Sequence, residues 1–586
     1  MQNIFVLSLV PPARGPRRAR RVGVSALLVA AFLSPTVLQG GTPSGSSREA
    51  TADSALTAEI DRLFARWNST DLPGCTVGIS RAGERVVNRA YGMANLEYRI
   101  ANQPDTVFEI ASVSKQITAA AVLLLAQQGK LSLEDPVQRY LPEVPDYGEP
   151  ITIRHLLTHT SGLRDWGFVQ DIAGWPRNSR AYTHDHVLDI VSRQRALNFA
   201  PGAAFAYNNT GYNLAAVLVG RVAGISLADF TRREIFEPLA MSSTSWRDDY
   251  TRVVLQRAVA YHVAEDGVRM NMPFDDVDGD TGLLTTTGDL LKWAANLTDA
   301  RVGGRAFVET QLTPGRLASG DELVYTLGGL NRVTWRGVRE WNHTGGIAAY
   351  RSWFAHYPDH DVSVAVLCNA SDARPWEIGR QAVAMFLPVD EPSAPMSVPA
   401  ERVREVEGLY RHRQRHGTVS IDYVDDQWHL AGVGVLTPLT VDHFRVGTGT
   451  IRIDVERTST NSVQGIRVTT AGESVGYDRV ERSRPTAADL QAFAGTYRSD
   501  EVDVELTVAI EDERLVLRRR PNTRIALQPT YTDGFRGFMW RAFPPLPEVD
   551  VRFLRDASGT VNGLSFSHDR IWDLRFARDD GRSVRK

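Results

Sequence analysis

Four prolines close together, Pro388, Pro392, Pro395 and Pro399, divide the chain into two parts with different patterns. Before them, helical and strand-like segments are mixed. After them, almost every segment is strand-like or a turn. Because proline-rich segments are typical of linkers between domains, we predict one mixed domain at 50–390, a linker at 391–400, and all-β structure beyond it.

The second part of the chain contains an internal repeat. Ala400–Arg411 (AERVREVEGLYR) matches Ala487–Arg498 (AADLQAFAGTYR) at an offset of 87 residues, and the two segments share an apolar position, a glycine, a tyrosine and an arginine. One such period is the size of a compact β unit. The repeat therefore predicts two small antiparallel β domains, barrels or sandwiches, at 401–484 and 487–586.

In the first part, the patterns predict a sheet that contains both ends of the domain. Two hairpins are predicted, one at 75–91 and the other at 350–369. Between them, Ser112–Gln128 is apolar on nearly every side, which predicts a buried helix. Helices between two sets of strands indicate an α/β or α+β domain.

Charge and motif content exclude several classes of function. The net charge is −3 and no basic tract follows the N-terminal region, so nucleic acid is a poor partner. No phosphate-binding or dinucleotide-binding loop is present, and we predict no cofactor. His155 and His159 have the spacing of a zinc pair, but the glutamate of that motif is missing, so we predict no metal site. A small molecule or a peptide is the expected substrate.

The chain has two cysteines, Cys75 and Cys368, which are too few for a disulfide scaffold or a four-thiolate metal site. Both lie in apolar, strand-like runs, where cysteine behaves as a small hydrophobic residue. We therefore expect two buried thiols rather than a disulfide.

The N-terminal region has the pattern of an export signal. Five arginines and no acidic residue occur within the first forty residues, together with a short apolar stretch, Val22–Leu33. This order is typical of a secretory signal, and the stretch is short for a membrane span. We predict a signal peptide at 1–40 and a secreted or periplasmic protein, with an uncleaved anchor as the alternative.

Lysine is rare in this chain, and the position of Lys115 indicates a catalytic role. The chain has four lysines against 62 arginines, and Lys115 lies inside the apolar helix. A lysine amine can lose its proton in a protein, whereas an arginine cannot. Ser112 precedes Lys115 by three residues, so both lie on one helix face, where the amine can activate the hydroxyl as a nucleophile. The spacing alone is weak, because Ser583 and Lys586 at the C-terminus have it too.

Four segments in order resemble one family. Phe108–Lys115 resembles the first motif of the serine penicillin-recognising enzymes, a superfamily that includes class C β-lactamases. His155–Leu163 is similar to a segment of the class C branch, Tyr207-Asn208-Asn209 resembles the Y-x-N motif, and His343-Thr344-Gly345-Gly346 resembles the third motif, K-T-G. With two β domains behind it, the arrangement looks most like that of three-domain D-aminopeptidases.

The resemblance implies a role for each matching residue. Ser112 is the expected nucleophile, and Lys115 and Tyr207 are expected to share the role of general base. Tyr207 would need nearby cations to act in this way. Asn209 is expected to bind the substrate amide.

The third motif supplies the remaining residues of the implied site, and its first residue differs from that of β-lactamases. The two glycines, Gly345 and Gly346, would let the strand approach the substrate, and the backbone N–H groups of Ser112 and Gly346 would form the oxyanion hole. His343 replaces the lysine of β-lactamases, and a neutral imidazole holds a carboxylate less firmly. We expect esters, amides or D-peptides rather than β-lactams, and a proton relay from His343 to Tyr207. The alternative without a catalytic role is that His343 is an ordinary histidine of a strand and Tyr207 an ordinary tyrosine of the core.

The fold that the resemblance implies is a five-stranded antiparallel sheet with flanking helices and a helical lobe, followed here by the two β domains. The family's sheet order would also make Cys75 and Cys368 neighbours, so that a bond between them is conceivable. The expected function is an exported serine hydrolase with an acyl-enzyme on Ser112, a D-aminopeptidase or a related peptidase or amidase. The alternatives are an esterase, a β-lactamase, a penicillin-binding sensor without turnover, and a folded remnant whose Ser112 is idle.

Overall fold

The computed structural model describes residues 56–579, apart from 178, 391–399, 426, 432, 447–450, 471–472 and 539–547. The predicted signal peptide at 1–40 lies outside the described residues, and so does the predicted linker except for its last residue.

An antiparallel sheet of eight strands forms the centre of the first domain. In sheet order its strands are Pro314–Arg316, Glu322–Thr326, Asn331–Trp335, Val338–Ile347, Tyr350–Tyr357, Val362–Cys368, Cys75–Arg81 and Glu84–Tyr91. Both predicted hairpins are confirmed, and the sheet joins both ends of the domain. The expected number of five strands is wrong, because 314–335 adds three strands at one edge.

The first and last long strands of this domain lie side by side. Cys75 is directly opposite Cys368, with the two Cα atoms 4.0 Å apart, and the two sulfur atoms are bonded. The expectation of two buried thiols is therefore wrong. Each cysteine lies in an apolar strand, as its sequence indicates, but only the order of strands in the sheet shows that the two face each other.

Helices cover both faces of the sheet and form a separate lobe. Thr287–Asp299 and Pro375–Ala384 pack directly on the sheet. The other α-helices of this domain within the described residues are 56–63, Lys115–Gln127, Ile153–Leu157, Trp166–Ala173, His184–Ser192, Thr210–Ala223, Leu227–Thr231 and Gly304–Gln311. Short strands pair outside the main sheet, at Met93–Asn95 with Ile100–Ala101, at Phe108–Glu109, Leu283–Thr285 and Ser245–Trp246, and at Tyr261–Ala264 with Gly267–Met270.

The predicted buried helix is confirmed, with a different first turn. Residues 111–114 form a 3-10 turn, and the α-helix runs from Lys115 to Gln127. We call this element the lysine helix (Lys115–Gln127). Its residues from Lys115 to Leu125 are all buried. Gly129, two residues after the last helical residue, terminates it with a φ of 70°, which glycine readily adopts.

Two closed eight-stranded antiparallel barrels follow. The first contains Gly408–His412, Thr418–Val424, Gln427–Leu430, Gly434–Pro438, His443–Val446, Ile451–Arg457, Val463–Thr470 and Glu473–Val480. The second contains Gly495–Ser499, Val504–Glu511, Arg514–Arg519, Thr523–Pro529, Gly534–Phe538, Glu548–Arg555, Val561–His568 and Ile571–Arg578. The predicted fold class, a β-lactamase-like domain followed by two β-barrels, is confirmed.

The sequence repeat has a clear physical basis in the barrels. A short helix precedes the first strand of each, Ala400–Arg404 in one and Ala487–Phe493 in the other. The repeated tyrosine is buried, and its hydroxyl donates a hydrogen bond to the carbonyl four residues earlier, in Tyr410 at 2.6 Å and in Tyr497 at 2.7 Å. The shared tyrosine therefore fixes the entry of the chain into each barrel.

Within the described part of the chain, one bent helix pair, Thr210–Ala223 with Leu227–Phe236, passes a length and hydropathy test for a membrane span, and no single helix does.

Candidate active site

Ser112 lies in the 3-10 turn that leads into the lysine helix. The preceding residue, Ala111, has a φ of 50°, a strained conformation for a residue with a side chain. The turn is held because Ile110 donates its N–H to the Leu283 carbonyl at 2.9 Å, and its carbonyl accepts from the Ser352 hydroxyl at 2.7 Å. Ser114, which directly precedes Lys115, accepts a hydrogen bond from the Leu283 N–H.

Lys115 connects two of the predicted motifs. Its Nζ lies 3.3 Å from Ser112 Oγ, 2.9 Å from Asn209 Oδ1 and 2.9 Å from the Asp280 carbonyl oxygen. The amide and carbonyl oxygens only accept, so they take two N–H bonds of the amine, and the third position of the nitrogen faces the Ser112 hydroxyl, which can donate or accept. The side chain is fully buried, so it is fixed in this position.

The Y-x-N segment is held by a neighbouring loop. Asp165 Oδ2 accepts from the Asn209 N–H at 2.9 Å, and the Thr210 hydroxyl donates to the Arg164 carbonyl at 2.8 Å. Asn209 lies directly before the helix Thr210–Ala223, which carries its backbone. The amide of Asn209 thus has a fixed orientation next to Lys115.

Tyr207 lies between two cations. The centre of its ring is 5.0 Å from Lys115 Nζ and 4.8 Å from the guanidinium carbon of Arg570. The buried ring of His159 packs against it at 4.3 Å between ring centres. Both cations and the histidine ring contact the aromatic ring of Tyr207, so they fix its position beside Lys115.

The third-motif strand, which we define as Val338–Ile347, has one free edge beside Ser112. Its residues from Val338 to Asn342 pair with the strand Asn331–Trp335, whereas among the residues that the structure describes 343–347 pair only with the strand Tyr350–Tyr357. A strand edge without a partner can take up an extended peptide. Substrate backbone therefore has a place to bind along 343–347.

Glycine is required at Gly345 by close packing. A Cβ atom there would lie 2.2 Å from the Ile110 carbonyl oxygen and 2.2 Å from Ser352 Oγ. At Gly346 a Cβ atom would meet only the Arg351 side chain, at 3.7 Å. Gly345 thus allows the strand to pack on the turn that contains Ser112. Gly346 has free space around its Cα on the side of the cleft.

His343 is neutral and both its nitrogens are engaged. Burial, reinforced by the charge of Lys115, lowers the pKa of His343 to about 3. Nδ1 lies 2.6 Å from the Thr344 carbonyl oxygen, which only accepts, so the proton is on Nδ1. Nε2 then accepts from the Tyr325 hydroxyl at 3.3 Å. In this structure His343 is bonded to Tyr325 and Thr344, and its ring centre lies 6.1 Å from that of Tyr207. The expected relay to Tyr207 therefore has no direct hydrogen bond here.

A network of buried charges lies behind Lys115. Arg177 binds Asp275 at 3.0 Å and Asp280 at 2.7 Å. Burial alone would raise the pKa of Asp280, but Arg177 and Lys115 outweigh burial and hold it below its usual value. The network fixes the segment whose carbonyl accepts from Lys115.

The second barrel contributes directly to the site. Arg570 lies in the turn between the last two strands of that barrel, and its backbone carbonyl accepts from the Asp165 N–H at 3.3 Å and from Asn198 Nδ2 at 3.1 Å. Its guanidinium lies 3.4 Å from Asp165 Oδ2. Nearby, buried Arg164 is ion-paired with Glu501 of the same barrel.

The predicted motifs meet in one cleft of about 380 Å³. Ser112, Asn209 and Gly346 line it, as the motif order predicted, and Arg570 joins them. Its other lining residues are Asp165, Gly167, Phe168, Asp171, Arg177, Thr281, Ile347, Ala348 and Arg351. Lys115 reaches the cleft through its bond to Ser112.

Sequence reasoning missed three residues of this site. Asp165 and Asp280 support Asn209 and Lys115, and Arg570 lies against Tyr207, but none stands in a motif. Arg570 is separated from the others by hundreds of residues, so only the packing of the second barrel reveals it. His155 and His159 do not share a helix face, because the helix ends at Leu157 and His159 has a φ of 59°.

Comparison with known proteins agrees with this fold. A penicillin-binding protein of Bacillus subtilis (strain 168) is 30% identical over 318 residues, which cover 52% of this chain and 69% of that protein. A D-aminopeptidase of Brucella melitensis is 27% identical over 454 residues, which cover 75% of this chain and 82% of the relative.

One solved structure matches nearly the whole chain in fold. The octameric penicillin-binding protein homologue from Pyrococcus abyssi superposes with a TM-score of 0.51 at 20% identity, and the match covers 90% of this chain and 99% of that one. In sequence, residues 60–384 match the beta-lactamase family. Since this match spans more than half of the chain, including all four motifs, the protein belongs to the beta-lactamase family.

Proposed function

We propose that the protein is an exported serine hydrolase that forms an acyl-enzyme on Ser112 and acts as a D-aminopeptidase or a related amidase on short peptides or amides. The observation that carries the proposal is the position of Lys115, whose amine lies within hydrogen-bond reach of both Ser112 Oγ and Asn209 Oδ1. A buried amine next to a hydroxyl at the mouth of a cleft is the arrangement of an activated nucleophile.

In the proposed reaction, Ser112 Oγ attacks the substrate carbonyl and its proton passes to the pair formed by Lys115 and Tyr207. The backbone N–H groups of Ser112 and Gly346 stabilise the oxyanion. The proton then goes to the leaving amine, which departs, and water releases the acyl group by the same steps. Asn209 orients the substrate amide from the other side of the nucleophile.

The choice of substrate rests on the relatives and on His343. The D-aminopeptidase of Brucella melitensis matches this chain across most of its length. A neutral imidazole at His343 offers no positive charge to the carboxylate of a β-lactam. Both observations favour a peptide or amide over an antibiotic.

Hydrolysis of four chromogenic substrates tests the proposal, with Ser112→Ala as the control. The substrates are D-alanine p-nitroanilide, L-alanine p-nitroanilide, a short-chain p-nitrophenyl ester and a chromogenic cephalosporin. Turnover of the D-anilide that depends on Ser112 supports the aminopeptidase. Turnover of the ester alone means an esterase, and turnover of the cephalosporin means a β-lactamase. Activity that survives in Ser112→Ala contradicts the proposal.

A second candidate, covalent capture of penicillin without turnover, is favoured by the relative from Bacillus subtilis, which is named a penicillin-binding protein. A fluorescent penicillin distinguishes the two. A label that persists on Ser112 for hours while no peptide is hydrolysed supports the second candidate. A label that is absent or rapidly lost argues against it.

Export is part of the proposal. The basic and apolar N-terminal pattern supports it, and so does the bond between Cys75 and Cys368, since disulfides persist mainly in oxidising compartments. Fractionation of the native host, followed by a shift assay with a thiol-reactive polymer under non-reducing conditions, tests it. Free thiols in cytoplasmic material would contradict this part of the proposal.

A further inference from the structure

The turn that carries Arg570 contacts the first barrel as well as the first domain. We call this turn, residues 568–572 of the second barrel, the cleft turn. Its Arg570 carbonyl accepts a hydrogen bond from the Asp165 N–H of the first domain at 3.3 Å. Its Asp569 carboxylate lies 2.8 Å from Nη1 of Arg415, a residue of the first barrel. The first barrel therefore contacts the residue that directly precedes Arg570.

Arg415 is held in place by its own barrel. It lies in the loop 412–418, between the first two strands of that barrel. Its Nη2 donates to the Tyr477 hydroxyl at 3.0 Å, and its backbone N–H donates to His412 Nδ1 at 3.1 Å. The buried ring of His412 also packs against Trp572 of the cleft turn, with 5.7 Å between ring centres. The guanidinium of Arg415 thus has a fixed position beside the cleft turn.

The loop 412–418 is attached to the second barrel by further bonds. The N–H and the hydroxyl of Thr418 both donate to the Asp550 carboxylate at 3.3 Å. Arg536 Nη2 donates to the Thr418 hydroxyl at 2.7 Å. These bonds do not involve the side chain of Arg415. We therefore expect the two barrels to stay docked when the charge of Arg415 is removed.

Asp569 is attracted by two arginines. Desolvation by the surrounding protein would raise the pKa of Asp569, but Arg415, with smaller effects of His568 and Arg570, holds it below its usual value. Burial lowers the pKa of His568 itself to about 4, so this histidine is uncharged at neutral pH. Without Arg415, the Asp569 carboxylate is therefore drawn towards Arg570.

The contacts of Arg570 in the cleft are sensitive to such an attraction. Its guanidinium lies 3.4 Å from Asp165 Oδ2, a long distance for a hydrogen bond, and 4.8 Å from the centre of the Tyr207 ring. A carboxylate that pairs closely with a guanidinium forms a shorter and stronger bond than this. Loss of Arg415 would therefore let Asp569 draw the guanidinium of Arg570 away from the cleft.

We propose that Arg415 is a positioning residue for the active site: by pairing with Asp569, it keeps that carboxylate from competing with Asp165 and Tyr207 for the guanidinium of Arg570. This inference rests on the proposed serine hydrolase function. The residues that line the cleft belong to the first domain and to the second barrel. The proposal thus gives the first barrel a part in an activity whose cleft it does not line.

The test measures kcat on whichever substrate the panel identifies. Arg415→Gln should lower kcat about fivefold, at the upper end of what a partly exposed ion pair contributes. Asp569→Asn should keep kcat within about twofold of the unmodified protein, because no carboxylate then competes for Arg570. The double variant, Arg415→Gln with Asp569→Asn, should recover kcat to within about twofold for the same reason. A merely structural bond would be lost in all three variants, and kcat would not recover.

Further variants assign the effect to the charge of Arg415. Arg413→Gln is the matched control, because Arg413 lies in the same loop and is ion-paired with two carboxylates of its own barrel; it should behave as the unmodified protein. Arg415→Lys should retain most of the activity, since an ammonium group still attracts Asp569. In an Arg570→Gln background, Arg415→Gln should have no further effect, because the side chain through which it acts is absent.

Thermal unfolding curves check that each variant is folded at the assay temperature. Arg415→Met keeps an unbranched side chain and repeats the test if Arg415→Gln is unfolded. Three results would overturn the inference. They are a kcat of the uncharged variant at position 415 within twofold of the unmodified protein, a loss in Asp569→Asn as large as that in the 415 variant, and no recovery in the double variant.

Labelling with a fluorophosphonate separates this failure from that of the proposed function. If Ser112 is labelled and the substrate is hydrolysed, but the variants at 415 and 569 do not follow the expected pattern, only the inference about Arg415 fails. If Ser112 is not labelled and nothing is hydrolysed, both fail.

Discussion

Lys115 shows how one side chain can hold several parts of a site together. Its amine contacts the nucleophile, the Y-x-N asparagine and a backbone carbonyl from a distant segment. No other residue type places a removable proton on a compact, flexible amine in this way. The scarcity of lysine in the chain made this residue recognisable from sequence, but the sequence contained no sign of its third partner, Asp280.

At this scale we predict that Lys115→Arg abolishes acylation. The guanidinium keeps the positive charge but cannot accept a proton, and general base catalysis typically contributes a factor of about 10²–10⁴. The rate of Ser112 labelling by a fluorophosphonate measures the effect. A thermal unfolding curve identical to that of the unmodified protein shows that the fold is intact, and a labelling rate within twofold would contradict the prediction.

His343 gives a prediction for acid stability. Its pKa is lowered to about 3 in the folded protein, against an ordinary value near 6.5. The unfolded chain therefore binds a proton first, and the free energy of unfolding falls as the pH decreases from 6.5 towards 3. In His343→Asn this dependence should be shallower by about 1.4 kcal/mol per pH unit.

Urea unfolding at several pH values measures this difference. Other buried histidines, such as His356 and His568, contribute equally to both proteins, so the difference isolates His343. If the free energy of unfolding depends on pH in the same way in both proteins, the pKa of His343 is the same in the folded and the unfolded chain, which would contradict the prediction.

At the scale of secondary-structure elements, the order of strands in the sheet determines which strands are neighbours, and local sequence patterns do not predict this order. The strands of Cys75 and Cys368 were each recognisable from their apolar runs, and the hairpins from their turns. These two strands are adjacent because strands from opposite ends of the domain pair with each other. That pairing depends on long-range packing against both faces of the sheet. The three extra strands at 314–335 were not predicted, because short edge strands have weak sequence patterns.

We predict that Cys75→Ala with Cys368→Ala lowers the free energy of unfolding by about 2–4 kcal/mol, since the bond limits the freedom of the unfolded chain. The two residues are separated by 293 positions, so the closed loop is long. Denaturant unfolding, with the unmodified protein in reductant as the comparison, measures the change. Unaltered stability in both cases would show that sheet pairing alone fixes these strands.

At the scale of the whole molecule, the site is assembled from two domains. The motifs of the first domain predicted Ser112, Lys115, Tyr207 and Asn209 as neighbours, and the structure places them together. Arg570 belongs to a barrel whose sequence predicts only strands and turns. Its part in the site depends on how the barrel packs on 164–174 and 198, which no local pattern encodes.

We predict that Arg570→Gln lowers kcat about 10- to 100-fold while the protein stays folded, because the variant removes a cation from Tyr207 and a partner from Asp165. Arg575→Gln is the control, since Arg575 is a largely exposed arginine of the adjoining strand, paired with Asp573. The measurement is kcat and KM on whichever substrate the panel identifies. Partial rescue by Arg570→Lys distinguishes charge from packing, and equal kcat in both glutamine variants would exclude a role for Arg570.

The position of Arg570 in the second barrel, after all four motifs in chain order, has a consequence for biosynthesis. A ribosome releases the nucleophile, the amine and the asparagine long before it reaches the last barrel. Until that barrel has folded and docked, Tyr207 lacks one of its two cations and Asp165 lacks its contact with Arg570. We therefore expect Ser112 to react slowly with a fluorophosphonate in a nascent chain that lacks the second barrel. On this expectation, folding of the second barrel switches on the cleft after the first domain has been made.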